Sequence, residues 1–100
     1  MTASTPRYLR RPDLRTRPIP QWGQLLVYTP AQPRLHWLNL NAWVILELCD
    51  GRSEDQLRAA YREMVEPRLS PEQAEQHLTA GLNLLQLIDV VVLETQERSY

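Results

Sequence analysis

The side chains able to do chemistry are few, and none stands in a working arrangement. His36 and His77 are the only histidines, and neither has metal-ligand spacing with a second His or with Cys. His36 falls in a strand-like run and His77 in a helical one, so both read first as hydrogen-bonded packing residues. Cys49 is the single cysteine. A Cys–His nucleophile pair would need that thiol ionised and accessible, yet it lies near the end of an apolar helical run, where thiols are inert. One cysteine allows no internal disulfide, which fits a reducing cytoplasm. Gly23, Gly51 and Gly81 are the only glycines and make no phosphate-cradling loop. Asp50 and Asp55 flank a turn, where capping and solvation account for them. The expectation is a protein that is not an enzyme and carries neither metal nor cofactor.

Function then has to come from surfaces, and the pattern of the chain indicates which ones. Arg15 to Trp22 holds a short strand that Pro18 and Pro20 confine to a sheet edge. Gln24 to Thr29 is a better strand, rich in residues that suit a pleated sheet. Pro30 to Pro33 is turn material, and Arg34-Leu35-His36-Trp37-Leu38 is a third short strand. Runs this close together predict an antiparallel meander. Asn39 is a good N-cap for the run Ala42 to Cys49, which is apolar almost all round and must be largely buried. Asp50-Gly51 should end it, with Gly51 in the left-handed conformation. Ser53 to Gln56 is a capping box, followed by Leu57, Ala60, Tyr61, Met64 and Val65 on one helical face. Pro67 stops that helix.

A second capping box, Ser70 to Gln73 with Pro71 at the first helical position, opens a third helix that runs to about Ile88. Its pattern is the most informative in the chain. Ala74, Leu78, Gly81, Leu82, Leu85 and Ile88 form one stripe, and His77, Ala80, Leu84 and Leu87 form another beside it. At about 100° per residue the two cover roughly 220° of the helix surface. That is far more than one core needs. The surplus faces another element of the same fold, a second copy of the chain as a homodimer, or a bound peptide. Val90 to Leu93 is a last short strand, and residues 94–100 are a polar tail.

One hundred residues with 43% hydrophobic side chains make one ordered domain with a modest core. Such a domain is marginally stable alone, and a permanent partner would help it. The net charge of −1 favours neither nucleic acid nor membrane. Charge is unevenly spread, however. The chain has no Lys, and Arg7, Arg10, Arg11, Arg15, Arg17 and Arg34 oppose only Asp13 in the first third. Residues 1–14 read as a flexible Arg-rich arm, either merely solvated or steering an acidic partner. The N-terminal twenty residues hold no apolar signal core, and the longest apolar runs, four or five residues, are too short to span a membrane. These features together predict a cytoplasmic location.

The succession Leu38-Asn39, an apolar helix containing Trp43, Cys49-Asp50-Gly51 and a capped second helix resembles the PqqD-like family. The strand Leu26-Val27-Tyr28 matches as well, so the resemblance covers roughly residues 15–93. It implies an α+β, winged helix-turn-helix-like fold with a three-stranded antiparallel sheet packed on three helices. It also implies a role as a RiPP recognition element in natural-product biosynthesis. Such peptide chaperones bind the leader of a ribosomally made precursor peptide and present it to a modifying enzyme, often a radical SAM protein. The family's receiving edge is the third strand, with the peptide lying between it and the third helix. Carried over, the site is Arg34, Leu35, His36, Trp37 and Leu38 on the strand, and His77, Ala80, Gly81, Leu84, Leu87 and Ile88 on the helix. Arg34 would pair with an acidic leader residue, and Gly81 would admit a peptide side chain close to the helix. Trp37 is either a binding anchor or core. The Arg-rich arm and the C-terminal extension depart from the family pattern.

Two other roles suit the same elements. A structural accessory subunit of a modifying enzyme would use the surplus stripe permanently. A winged-helix DNA regulator needs a basic recognition helix, and no Arg lies between Pro71 and Asp89.

Overall fold

The run of residues 24–29 is apolar on both faces, and the face of Leu25, Val27 and Thr29 turns inward, with the chain folded around that strand. The computed structural model describes residues 6–95. It is an α+β fold of three helices and two three-stranded antiparallel sheets. β2 (Arg15–Ile19), β3 (Gln24–Thr29) and β4 (Arg34–Leu38) form the expected meander, with β3 in the middle. β3 pairs Leu26 with Trp37 and Val27 with His36 on β4, and Val27 with Thr16 on β2. Leu25, Val27 and Thr29 point inward and are buried. Pro18 lies in an edge strand, where its missing N–H costs no ladder bond.

α1 (Leu40–Leu48) starts where Asn39 was expected to cap it, the side chain accepting from the Ala42 amide at 2.8 Å. α2 (Glu54–Val65) and α3 (Pro71–Leu87) each open with a closed capping box. The Ser53 and Ser70 hydroxyls accept from the amides of Gln56 and Gln73, whose side chains accept from the cap amides in return. Such a pair satisfies two donors that a helix start otherwise leaves bare. Arg58 on α2 reaches Glu75 on α3 at 2.8 Å.

Two expectations need correction. Part of the supposed flexible arm is the central strand of a second sheet: β1 (Pro6–Arg10) lies between β5 (Asp50–Ser53) and β6 (Val91–Thr95). Its partners come from distant parts of the chain, so no local pattern announced the pairing, while the buried Tyr8 ties it to the core. Residues 1–5 of the arm and 96–100 of the tail lie outside the described residues. Gly51 does take a positive φ of 102°, yet it sits within β5 rather than ending α1, which stops at Cys49.

Helices and sheets share one core, with Val27, Ile45, Leu57, Tyr61, Leu85 and Val90 fully buried in it. α1 and α3 meet closely at Gly81. A Cβ built there would run into the terminal Cδ1 methyl of the buried Ile45, while Cγ1 stays at contact distance, so Ile45 as it stands leaves no room for a side chain at position 81. Gly81→Ala gains about 1 kcal/mol of helix propensity but overpacks the contact, which costs about 1–3 kcal/mol. A net loss is expected with Ile45 present. In an Ile45→Val background, which deletes the clashing methyl, the same change should be neutral or stabilising. Urea unfolding of the four proteins in the cycle measures this coupling, and additive effects would contradict the packing account.

Candidate functional site

The two apolar stripes of α3 part company in the fold. Ala74, Leu78, Gly81, Leu82 and Leu85 are buried, with Ile88 half-buried behind them. His77, Ala80, Leu84 and Leu87 face outward. Leu87 is 82% exposed and Leu84 41%, so the second stripe is uncovered apolar surface.

Near the C-terminal end of that stripe stands β4, an edge strand hydrogen-bonded only to β3. Its other edge carries unpaired amides and carbonyls. Between them lies a cavity of about 260 Å3 whose wall includes Arg34 and His36 from β4, Leu87 from α3 and its C-cap Ile88, and Arg11 and Asp89. Apolar contact, hydrogen-bonding edge and cationic side chain thus converge on one groove. Arg34 makes no ion pair with any described residue.

One wall has an unusual cap. α3 ends with the Val90 amide donating to the Leu85 carbonyl and the Asp89 amide to that of Gln86. This is a Schellman ending, and Leu85 and Val90, both fully buried, supply its apolar contact. The left-handed residue, usually Gly, is here Asp89 at φ 65°. Its carboxylate accepts from Arg11 Nη2 at 2.8 Å, bringing the β1–β2 connection onto the groove. Arg11 Nε is buried beside this pair with no acceptor among the described residues.

The other expected site residues are distributed around this groove. Gly81 and Leu38 are buried in the core, so Gly81 serves the contact with Ile45 and not the approach of a peptide. Leu35 and Trp37 alternate with Arg34, His36 and Leu38 and therefore project from the opposite face of the sheet. Trp37 is neither core nor groove: it is 52% exposed and packs on Trp22, ring centroids 6.1 Å apart. His77 lines a separate cavity of about 430 Å3 with Leu40, Val44 and Met64. Arg11 and Asp89 were missing from the sequence reading, because their contact joins opposite ends of the chain. The only foreshadowing was an acidic residue one position past a helix end, where Gly is usual.

Cys49 is fully buried and donates its thiol hydrogen to the Ile45 carbonyl at 3.2 Å. Desolvation pushes its pKa up to about 12, so almost no thiolate forms near neutral pH. Among the described residues no group of three or more His, Cys, Asp or Glu side chains is placed to hold a metal ion. No helix among the described residues is long and apolar enough to cross a membrane. No family model matches the chain, nor does any curated protein or solved structure.

Asp89 should be a stability cost at the groove. Asp89→Gly removes the left-handed strain and an anion from a helix C-terminus, and it loses a surface ion pair of about 0–1 kcal/mol. Asp89→Ala loses the same pair and keeps the strain. The Gly variant is expected to exceed the Ala variant by about 1 kcal/mol in chemical denaturation. Equal stabilities would mean that the cap is not strained.

Proposed function

We propose that this chain is a leader-peptide-binding domain of the PqqD-like kind, a winged helix-turn-helix-like module that holds a precursor peptide for a modifying enzyme and does no chemistry itself. One observation carries the reading: the unpaired edge of β4 and the last residue of the uncovered apolar stripe of α3, Leu87, meet at one cavity, with Arg34 at its wall and Leu84 one turn back along the helix. An extended peptide added beside β4 gains backbone hydrogen bonds whatever its sequence. Its side chains on one face then reach Leu84 and Leu87, which supplies specificity. Arg34 adds a charge-assisted bond to an acidic leader residue.

The alternative of a DNA regulator is disfavoured by α3 itself, which has Glu72 and Glu75 and no Arg. A helix of that charge repels phosphates instead of releasing counterions from them.

The test is calorimetric titration with the leader portion of a short peptide encoded beside this chain. Saturable one-to-one binding at micromolar affinity or better is expected. Leu84→Asp and Leu87→Asp should each weaken it by roughly tenfold or more and leave the fold intact, since both side chains are substantially exposed. Arg34→Glu should weaken it and flatten its salt dependence. Full affinity in both Leu variants would remove the groove assignment. No binding by the folded domain would favour a purely structural accessory subunit.

A further inference from the structure

The outer face of the β2-β3-β4 sheet is not polar, as the open face of an antiparallel sheet ordinarily is. Register sorts its side chains into two rows across the strands. One runs Arg15, Tyr28, Leu35 and the other Arg17, Leu26, Trp37. Trp22, from the 3-10 turn Pro20–Trp22, adds its ring to the second row against Trp37. Trp22 is 66% exposed and Leu35 63%, and Leu26 and Tyr28 between them are half-buried, so this face presents aromatic and aliphatic surface. Uncovered clusters of this kind mark interaction sites.

The charge on the face is all of one sign. No Asp or Glu occurs between Leu14 and Leu46, so the sheet has no carboxylate anywhere. Arg15 and Arg17 make no ion pair with described residues, whereas Arg10, Arg11, Arg52, Arg58 and Arg62 all do. Two cations beside an aromatic centre are the composition of an interface awaiting carboxylates: Trp, Tyr and Arg are the residues that most often dominate binding energy.

From this we infer that the outer sheet face docks a protein partner whose contact surface is apolar at its centre and carries Asp or Glu at its rim. A second copy of this chain does not fit. A two-fold interface brings the same patch onto itself, and this patch has arginines and nothing to pair them. Single-stranded nucleic acid would use the aromatic rings, but Leu26 and Leu35 give bases no stacking surface. This docking face lies opposite the groove proposed for the leader, so the inference goes beyond that reading and stands or falls separately. Both surfaces share β4, which would place a bound leader next to the docked partner.

Because the chain has no Lys, the test can be made site-specific. In the Arg15→Lys/Arg17→Lys protein the introduced amines are the only side-chain amines. A water-soluble carbodiimide activates partner carboxylates and couples them to those amines as amides. The full-length variant is treated with this reagent in clarified extract of the native cells, and adducts are mapped by peptide mass spectrometry. The expected result is one protein joined through Asp or Glu to position 15 or 17. Adding Trp22→Ser or Trp37→Ser should cut its yield by roughly tenfold. An Arg68→Lys control, in the connection between α2 and α3, should give no such adduct. Adducts no stronger than that control, indifferent to both Trp substitutions, or joining the chain to itself would overturn the proposal. So would a single-stranded RNA oligonucleotide that quenches tryptophan fluorescence in the parent protein but not in Trp37→Ser. Trp22→Ser should leave leader affinity unchanged, and a chain that forms the adduct without binding any leader would sink only the leader reading.

Discussion

The close approach of α1 and α3 at Ile45 and Gly81 fixes most of what the molecule presents. α1 is apolar on nearly every side, with Glu47 its one charged residue, and must be covered. α3 covers it with Gly81 set against the Ile45 side chain, whose terminal methyl occupies the place of a Cβ. Asn41 fastens the junction by accepting from the Tyr61 hydroxyl and donating to the His77 carbonyl, so a single α1 side chain links all three helices. Facing α1 and α2 with its Ala74-to-Leu85 stripe, α3 leaves Ala80, Leu84 and Leu87 facing outward. The groove is therefore a consequence of how the core is closed. Leu87 is apolar where the core gains little from its being so, and Leu84 keeps a large part of its apolar side chain uncovered.

The same sheet then serves in two directions. Its inner face contributes Leu25, Val27 and Leu38 to the core and Arg34 and His36 to the groove. Its outer face carries the two arginine-to-aromatic rows. β4 is the element common to both, being an edge, a groove wall and half of an exposed patch at once. A strand with one free edge and two differently used faces can accept an extended peptide without disturbing either surface, because added strands bond in the plane of the sheet. A leader seated there would lie against α3 on one side and extend the exposed platform on the other.

Local signals were legible and long-range ones were not. Asn39, Ser53 and Ser70 cap helices where their side chains and spacing place them, because a cap depends on residues within one turn. The meander was legible because its turns are short. β1 escaped detection because both of its partners, around Arg52 and Val92, are remote in sequence, and two of its five residues, Arg7 and Arg10, are arginines. The two stripes on α3 were evident, but which one faces the core depends on Ile45 and is not written in α3. Strand alternation likewise paired Leu35 with Trp37 and His36 with Leu38, yet the side that faces inward was decided only when Val27 and Leu38 met the core. The Arg11–Asp89 contact, between the β1–β2 connection and the end of α3, had no local signature apart from the odd residue at the cap.

Strand addition at β4 is the central claim, and amide hydrogen exchange tests it most directly. In the free domain the β4 amides that point away from β3 have no partner and should exchange fast, while those bonded to β3 are protected. With saturating leader peptide the outward-pointing amides of residues 34–38 should slow markedly, and those of α2 should not change. Unchanged exchange along β4, with the peptide demonstrably bound, would contradict the account and move the binding site elsewhere on the molecule.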